Sequence, residues 1–418
     1  DLWGWNHEGS GRSFALMGRS TGTAFVEVTD PVAPVYLGSL PGRGASSPWR
    51  DIKVIDDHAV IVSEAAAHGM QVFDLTELLS VASPPTTFSE TTHYSEFGNA
   101  HNIVVNKNAG AVYAVGTATC QGGLHVVDMT DPTSPSFAGC FGSDGYTHDA
   151  QCVTYAGPDV EHQGRHVCFA SNEDTLTIVD LTDPADPTQI SRTTYAGSAY
   201  THQGWLSEDH ATFFLDDELD EWNQQINTRT YVWDVSNLDA PTVTGYHDGP
   251  TPSIDHNMYV AGRYLYQANY RSGLRVVEVL DAGTAQLEEV AHFDTFPLGN
   301  GPGFNGAWSV YPWFDDGVVA VSDIERGLFV LRFEPAAHHV HNLADRSRER
   351  TFHDRWRARV RIAVRDRSHD PVAGAVVTGR FGKSRVRSCT TNELGRCSVS
   401  VLAGDPRKRI PFEVSSVT

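Results

Sequence analysis

The most prominent feature of the sequence is an alternation of apolar and polar residues that recurs seven times. Alternation with a period of two predicts a β-strand, because successive side chains of a strand point to opposite faces of its sheet. The starts of these segments lie 47, 54, 52, 54, 44 and 54 residues apart, a spacing typical of four-stranded propeller blades. The segments are GTAFVEVT from Gly22, GMQVFDLT from Gly69, GLHVVDMT from Gly123, TLTIVDLT from Thr175, RTYVWDVS from Arg229, GLRVVEVL from Gly273 and GLFVLRFE from Gly327.

Proline-containing turns follow several of these strands, as in TDPVAP, TDPTSP, TDPADP and SNLDAP. Proline presets the backbone for a tight turn, and Asp, Asn, Ser and Thr side chains hydrogen-bond within such turns. Each repeat therefore predicts four short strands. For residues 1–335 we expect an all-β fold, a seven-bladed β-propeller built from four-stranded blades.

The end of the chain has a different pattern. Residues 355–418 alternate like a small antiparallel sandwich. They resemble the immunoglobulin-like add-on domains of secreted bacterial enzymes, which implies an immunoglobulin-like β-sandwich that we expect to be truncated by one strand. Residues 336–354 are rich in His, Arg and Asp, and this composition predicts a linker between the two domains.

Four histidines occupy equivalent places in successive repeats, each just ahead of an apolar run. They are His101, His148, His202 and His256. In a propeller these positions lie at the mouth of the central channel, so we expect the four side chains to line it. Neutral imidazoles from several blades are suitable ligands for a divalent transition metal ion. The other interpretation is structural: each ring hydrogen-bonds to a neighbouring blade and fixes its register.

Further polar residues are predicted in loops at the same face. Those expected to bind an anionic or carbohydrate ligand are Arg50, Asp51, His68, Arg271, Glu325 and Arg326, and the candidates for proton transfer are Glu173, Asp217 and Tyr270. The acidic run DDELDE adds calcium to the candidate ions, although it lacks the ligand spacing of an EF-hand loop. The sequence has no P-loop, GxSxG, HExxH or Rossmann glycine pattern.

The six cysteines form three local pairs around predicted turns: Cys120 with Cys140, Cys152 with Cys168, and Cys389 with Cys397. None has the CxxC spacing of a zinc site. Local disulfides are typical of an oxidising compartment, so we expect a secreted or extracellular protein.

Charge divides the chain unequally. The net charge of −21 is the sum of −30 in residues 1–335 and +9 in residues 336–418. The latter segment contains 17 basic and 8 acidic residues. An acidic body repels nucleic acid, whereas it attracts cations or a basic protein partner, including the basic domain of a second copy. No apolar run reaches the roughly 18 residues of a membrane span, so we expect no transmembrane segment.

Several strings taken together resemble the bacterial choice-of-anchor B proteins, which carry LVIVD repeats. They include DLWGW, GTAFVEVTDPVAPVYLGSLP, WRDIKVIDDHAVIVSEAAAHGMQVFDLTELL, NAHNIVVN, GGLHVVDMTDPTSPSFAGCF, YTHDAQCV and NYRSGLRV, within residues 1–335. The resemblance implies a secreted or surface-attached propeller with a variable C-terminal anchoring module. It implies no particular activity, since fold alone does not fix function.

Two functions from different classes follow from these observations. The first is a binding or assembly module that associates with itself through its acidic and basic domains. The second is a metal-dependent hydrolase or lyase with its site at the histidine-lined mouth of the channel.

Overall fold

A computed structural model describes residues 1–335, 338–349, 356–366, 369–382, 385–403 and 410–417. The chain forms two compact units, residues 1–333 and 334–418. Both units are built from antiparallel sheets, and the predicted all-β fold is confirmed.

The first unit contains seven sheets, which follow one another along the chain. Sheets 1 and 2 are formed by β1 (Leu2–His7), β2 (Arg12–Arg19), β3 (Gly22–Glu27) and β4 (Val35–Pro41), and by β5 (Arg50–Ile55), β6 (His58–Ser63) and β7 (Met70–Asp74). Two short strands extend them: β8 (Thr86–Thr87) pairs in parallel with β4, and β9 (Thr92–Tyr94) pairs with β7.

The next four sheets each have four strands in chain order, and the seventh has three. Sheet 3 contains β10 (Asn102–Asn106), β11 (Ala111–Val115), β12 (Leu124–Asp128) and β13 (Ser136–Phe141). Sheet 4 contains β14 (Asp149–Thr154), β15 (His166–Ser171), β16 (Leu176–Asp180) and β17 (Thr188–Thr193). Sheet 5 contains β18 (Thr201–Leu206), β19 (Thr212–Asp217), β20 (Arg229–Asp234) and β21 (Thr242–Asp248). Sheet 6 contains β22 (Asn257–Ala261), β23 (Tyr264–Ala268), β24 (Leu274–Asp281) and β25 (Gln286–Phe293), and sheet 7 contains β26 (Ala307–Tyr311), β27 (Val318–Asp323) and β28 (Gly327–Arg332).

Each of the seven alternating segments forms the third strand of its sheet, as the sequence predicts. Six of these strands are mostly buried because apolar clusters fill the space between consecutive sheets, whereas β28 is half-buried. One cluster joins Tyr113 and Val126 of sheet 3 to Ala170 of sheet 4, and the next joins Phe169 of sheet 4 to Trp233 of sheet 5. The core of the first unit therefore lies between sheets and extends from one to the next.

The first strands of the sheets contact one another in succession. Strand β1 contacts β5, followed by the pairs β5–β10, β10–β14, β14–β18, β18–β22 and β22–β26, and β26 contacts β1. This closed sequence of contacts brings residues at the starts of these strands close to one another.

The second unit contains two further sheets. Its strands are β29 (His338–Asp345), β30 (Arg348–Glu349), β31 (Trp356–Asp366), β32 (Val376–Phe381), β33 (Arg385–Thr390), β34 (Arg396–Ala403) and β35 (Phe412–Val417). In one sheet β31 pairs with β29, β30 and β34, and in the other β32 pairs with β33 and β35. Ile362, Val377 and Val399 belong to their shared core.

The predicted linker over 336–354 is wrong for its described part. Residues 338–345 pair along β31, so they are an integral strand of the second unit. The polar composition misled the prediction because a strand at the edge of a sheet exposes many of its side chains. Leu343 is one apolar side chain of β29 that remains exposed.

The three expected cysteine pairs are the three disulfides of the structure: Cys120–Cys140, Cys152–Cys168 and Cys389–Cys397. Cys152 and Cys168 stand directly opposite each other on β14 and β15.

Helical structure is sparse in the described residues. It comprises α1 (Asp220–Gln224) and short 3-10 segments at Leu75–Ser80, Lys107–Ala109, Cys120–Gly122, Ala282–Thr284 and Asp315–Gly317. None of the helices among the described residues has the length and hydropathy that crossing a membrane requires.

Candidate metal centre

The four predicted histidines form a continuous row. His101, His148 and His256 immediately precede β10, β14 and β22, and His202 is the second residue of β18. Because these strands contact one another in succession, the imidazoles stack in the same order. Ring centroids are 4.3 Å apart for His101–His148, 4.1 Å for His148–His202 and 4.5 Å for His202–His256.

Two of the histidines link neighbouring sheets through Nδ1. The Nδ1 of His148 donates to the backbone carbonyl of His202 at 2.9 Å, and that of His256 donates to the carbonyl of Trp308 at 2.6 Å. A carbonyl oxygen only accepts hydrogen bonds, so each Nδ1 carries the proton. In the neutral ring, Nε2 then keeps a free lone pair.

The other two histidines use Nδ1 in the same way, with carboxylates as acceptors. His101 Nδ1 lies 2.6 Å from Glu64 Oε1, and His202 Nδ1 lies 3.1 Å from Asp216 Oδ1. Metal-binding histidines commonly donate their second ring N–H to a carboxylate or a carbonyl, which fixes the ring and its tautomer. In all four imidazoles Nδ1 is thus engaged in a hydrogen bond.

Burial keeps the central histidines neutral. It lowers the pKa of His148 and of His202 well below the ordinary value, with neighbouring imidazoles adding to the effect. Burial also lowers the pKa of His256 to about 3. Neutral imidazole is the form that binds metals, so these side chains are competent ligands at neutral pH.

Two of the four histidines lie near the same carboxylate, that of Glu218. Glu218 Oε1 lies 3.9 Å from Nε2 of His202 and 3.9 Å from Nε2 of His256. One ligand atom from each of these three residues lies within 4.8 Å of the other two. His101 and His148 continue the row of rings but are not part of this group of three.

Tyr270 contacts both the Glu218 carboxylate and the His256 ring. Its buried hydroxyl donates to Glu218 Oε1 at 2.8 Å, and its ring lies 4.6 Å from that of His256. Burial raises the pKa of Glu218 to about 7, partly opposed by this hydrogen bond. A bound cation would favour the ionised carboxylate. Of the three proton-transfer candidates, Tyr270 is the one that contacts the group of three.

Asp217 and Glu173 lie elsewhere. Asp217 accepts hydrogen bonds from the Tyr195 hydroxyl at 2.6 Å and from the backbone N–H groups of Ala199 and Tyr200 at 2.8 and 2.6 Å. Its carboxylate thus holds the loop that leads into β18. The Glu173 side chain is exposed, and its backbone pairs with that of Thr201.

Two further predicted residues, Arg50 and His68, are buried together. Arg50 Nη1 lies 2.6 Å from His68 Nε2, and its Nε donates to the Arg19 carbonyl at 3.0 Å. Burial lowers the pKa of Arg50 to about 10 and that of His68 to about 4. This pair connects the loops of sheets 1 and 2.

Asp51 and Arg271 also have internal partners. Asp51 is buried, bonds Lys53 Nζ at 2.7 Å and accepts from the Ile103 backbone N–H of sheet 3 at 2.9 Å. Arg271 donates to Asn305 Oδ1 at 2.6 Å and to the Pro302 carbonyl at 3.2 Å. Neither side chain joins the histidine row.

Glu325 and Arg326 line a cavity of about 600 Å³, together with Arg19, Asp323 and Trp308. The Trp308 ring is also 4.8 Å from the His256 ring, so one side chain contacts both the cavity and the histidine row. Glu325 accepts from Asn305 Nδ2 at 2.6 Å and from the Gly306 backbone N–H at 3.0 Å.

Glu218 and Asp216 are the site residues that sequence reasoning did not select. Both belong to the DDELDE run, from which sequence reasoning chose only Asp217 as a candidate. The sequence feature that could have identified them is the carboxylate-rich insertion at the end of β19, the strand that pairs with β18.

A second group of three ligand atoms consists of Asp159, His162 and Asp239. His162 Nε2 lies 3.2 Å from Asp239 Oδ2, and Asp159 Oδ2 accepts from the Leu238 backbone N–H at 2.9 Å. Because the Asp239 side chain is exposed and Asp159 bonds backbone groups, these contacts mainly join two turns of sheets 4 and 5.

Comparison with known proteins agrees with the repeat and the fold. The LVIVD repeat profile matches residues 115–142 and 158–194. No curated protein matches the chain. The chain is thus an all-β, propeller-like protein that carries LVIVD repeats.

Three solved structures match the chain at low sequence identity, and two of them have TM-scores above 0.5. A protein from Lactobacillus plantarum has 14% identity and a TM-score of 0.52, with 96% of this chain and 98% of that chain covered. A chain from a structure described as the outer coat vertex of COPII on membranes has 10% identity and a TM-score of 0.55, with 94% and 98% covered. A functionally unknown protein from Desulfotomaculum acetoxidans DSM 771 has 10% identity and a TM-score of 0.48, with 71% and 86% covered.

Proposed function

We propose that this protein binds a divalent transition metal ion through His202, His256 and Glu218, and acts as a metal-dependent hydrolase or lyase. The observation that carries the proposal is that both Nε2 atoms face one carboxylate oxygen at 3.9 Å while both Nδ1 atoms are held by hydrogen bonds. Two imidazoles and a carboxylate are a ligand set of catalytic zinc and iron sites, which leave further coordination positions for water or substrate.

The architecture that we propose is a seven-bladed β-propeller followed by an immunoglobulin-like β-sandwich. The closed sequence of contacts among the seven first strands supports the propeller. Two antiparallel sheets around one core support the sandwich. Three disulfides are compatible with an extracellular protein, and we propose that it is secreted and attached to the cell surface.

A metal ion at this centre would supply a Lewis acid that polarises a substrate or activates water. The chain's own residues then have separate tasks. His202 and His256 hold the ion, Glu218 adds a charged ligand, and Tyr270 keeps the Glu218 oxygen in place through its 2.8 Å hydrogen bond.

The nearby cavity offers two guanidinium groups to an anionic group of a substrate, although Asp1, Asp323 and Glu325 also line it. Arg19 and Arg326 both line it. Guanidinium groups bind carboxylates and phosphates by paired hydrogen bonds. Trp308 offers an apolar wall between this cavity and His256. We therefore expect a small organic anion as the substrate.

The metal content of the purified protein tests the proposal. The chain is dialysed against a chelator and titrated with Zn²⁺, Co²⁺ and Mn²⁺ while binding is followed by calorimetry. We expect stoichiometric binding of one of these ions by the unaltered protein. Binding should be lost in His202→Ala and His256→Ala and weakened in Glu218→Gln.

His162→Ala is the matched control because His162 belongs to the other group of ligand atoms. We expect that variant to bind the ion as the unaltered protein does. If none of the three ions binds, or if the His202 and His256 variants bind it unchanged, the proposed centre is wrong. Hydrolysis of a panel of phosphate and carboxylate esters by the metal-loaded protein then tests the enzymatic part.

The uneven charge supports a second candidate, a module that assembles with copies of itself. Residues 1–335 carry −30 and residues 336–418 carry +9, so opposite charges on two copies attract at low ionic strength. A head-to-tail contact of this kind gives rings or filaments. We expect light scattering to detect oligomers at low salt that dissociate as salt is added, and a monomer at low salt would contradict this candidate.

A further inference from the structure

Four buried carboxylates lie beside the histidine–glutamate centre without belonging to it. Asp216 is near the end of β19, Asp220 and Glu221 begin α1, and Asp255 precedes β22. Each is at most 2% exposed. The insertion that carries α1 and the segment before β22 thus share one acidic cluster.

Hydrogen bonds satisfy only part of this cluster. Asp220 Oδ2 accepts from the Tyr231 hydroxyl at 3.0 Å, and Glu221 Oε1 accepts from the Asp255 backbone N–H at 3.2 Å. Asp216 Oδ1 accepts from the Gln203 backbone N–H at 3.0 Å. These bonds place Glu221 directly against the backbone of Asp255.

The remaining oxygens are buried without a hydrogen-bond partner. They are Asp216 Oδ2, Asp220 Oδ1, Glu221 Oε2, and both Oδ1 and Oδ2 of Asp255. Asp255 is the decisive residue because its whole carboxylate lacks a donor although it is 2% exposed. A buried carboxylate with no partner is strongly destabilising, so the native protein has to neutralise this charge.

No lysine or arginine among the described residues forms an ion pair with these carboxylates, and Arg229 acts on Asp220 only through a longer-range charge interaction. The Asp255 carboxyl is electrostatically coupled to those of Glu221, Asp216 and Asp220, which are all acidic. The choice is therefore between shared protons and a bound cation.

We propose that Asp220, Glu221 and Asp255, with Asp216 beside them, bind a hard divalent cation, and that this cation is Ca²⁺. The donors are all carboxylate oxygens, which Ca²⁺ prefers and binds in flexible arrangements. This site is distinct from the proposed transition-metal centre, which combines imidazole nitrogens with Glu218. The inference adds a second ion, and it does not depend on the proposed catalytic function.

Binding requires a small rearrangement of side chains. No three of these residues place one oxygen each within 4.8 Å of one another, as the atoms of His202, Glu218 and His256 do. Ca²⁺ would draw the Glu221 and Asp255 carboxylates together. Helix α1 begins two residues after Glu218. The ion would therefore also fix the insertion that places Glu218 beside the histidines.

Calcium binding by the full chain tests the inference. The protein is dialysed against EGTA and titrated with Ca²⁺ by calorimetry, and its thermal unfolding is followed with and without the ion. We expect saturable, stoichiometric binding and a higher unfolding midpoint in Ca²⁺. In Glu221→Gln and Asp255→Asn the affinity should fall by about tenfold or more, and the shift in midpoint should disappear.

Isosteric amides keep the experiment interpretable because they remove charge without removing volume. We expect both variants to fold without Ca²⁺, with a native circular dichroism spectrum. Glu8→Gln, at an exposed position, is the matched control and should retain the full calcium response. Absence of binding and of any midpoint shift in the unaltered protein would overturn the inference and favour shared protons. Unchanged binding in the Glu221→Gln, Asp255→Asn double variant would also overturn it.

The proposed transition-metal site and the proposed calcium site can be tested independently. His202→Ala should lose the transition metal and keep the calcium response, whereas Glu221→Gln should lose the calcium response and still bind the transition metal. Loss of both ions in both variants would contradict the division into two sites.

Discussion

The imidazole of His148 donates a hydrogen bond from Nδ1 to the backbone carbonyl of His202, 2.9 Å away in the next sheet. The same kind of bond joins His256 to Trp308 at 2.6 Å. One histidine position therefore serves two purposes: Nδ1 connects consecutive sheets, and Nε2 stays free for a ligand. The structural and the metal-binding interpretations of these residues are compatible.

The His148→Ala variant distinguishes the contact between sheets from metal binding. The substitution removes the bond to the His202 carbonyl and leaves that buried oxygen unpaired, so we expect the free energy of unfolding to fall by about 1–3 kcal/mol. His148 is outside the group formed by His202, Glu218 and His256, so transition-metal binding should persist. Urea unfolding and metal titration of the same preparation measure both effects. Loss of the metal with unchanged stability would contradict this division.

Gln203 provides a stronger link between sheets 5 and 6. Its side chain donates Nε2–H to the Met258 carbonyl and accepts from the Met258 N–H through Oε1, both at 3.0 Å. Gln203→Ala leaves two buried backbone groups unpaired, and we expect a loss of about 2–4 kcal/mol in the free energy of unfolding. Gln189→Ala, at an exposed position, is the control and should change it by less than about 0.5 kcal/mol. Equal losses in the two variants, measured by denaturant unfolding, would refute this role.

The Cys152–Cys168 disulfide should stabilise the first unit because it lowers the conformational entropy of the unfolded chain. It joins residues 16 apart on paired strands, and closing a loop of this length is worth about 3 kcal/mol. We expect the Cys152→Ala, Cys168→Ala variant to keep its fold and to lose about that amount of free energy of unfolding. Chemical denaturation of this unit, with free thiols quantified, is the measurement. The expectation fails if the variant unfolds at the same denaturant concentration as the unaltered protein.

His125 should make stability depend on pH. Its ring is bonded on both sides, by the Tyr94 hydroxyl at Nε2 and the Thr119 hydroxyl at Nδ1, each at 2.8 Å. Burial lowers its pKa to about 4, whereas an unfolded histidine has a pKa of about 6.5. Between these two values the unfolded chain binds a proton that the native state does not. The stabilisation is therefore complete above about pH 6.5 and is lost as the pH falls towards 4, by at most about 1.4 kcal/mol per pH unit.

Urea unfolding at pH 7, 6 and 5 measures this dependence. His125→Gln should start from a lower stability at pH 7 and lose less as the pH falls. An identical pH dependence in the variant and the unaltered protein would show that other groups cause it. NMR titration of the His125 ring protons checks the lowered pKa directly.

Much of the fold could be predicted from the sequence because it depends on local patterns. The alternation of apolar residues locates the third strand of all seven sheets, since the period of two is intrinsic to a pleated strand. Cysteines that flank a short turn are brought together by the turn itself, so their pairing follows from position. Composition was a poorer guide, and residues 338–345 form a strand despite their polar character.

The sequence by itself determined that four histidines would recur at equivalent places, and that they would stand in a row once consecutive first strands packed together. Only the tertiary structure decided which carboxylate meets them. Asp216 and Asp217 are neighbours at the end of one strand, where successive side chains point to opposite faces: Asp216 bonds His202, and Asp217 bonds the loop at Ala199. Glu218 reaches the Nε2 atoms of His202 and His256 because the chain leaves the strand at that residue. Contacts between residues that are distant in the chain fix such orientations, and a local pattern carries no information about them.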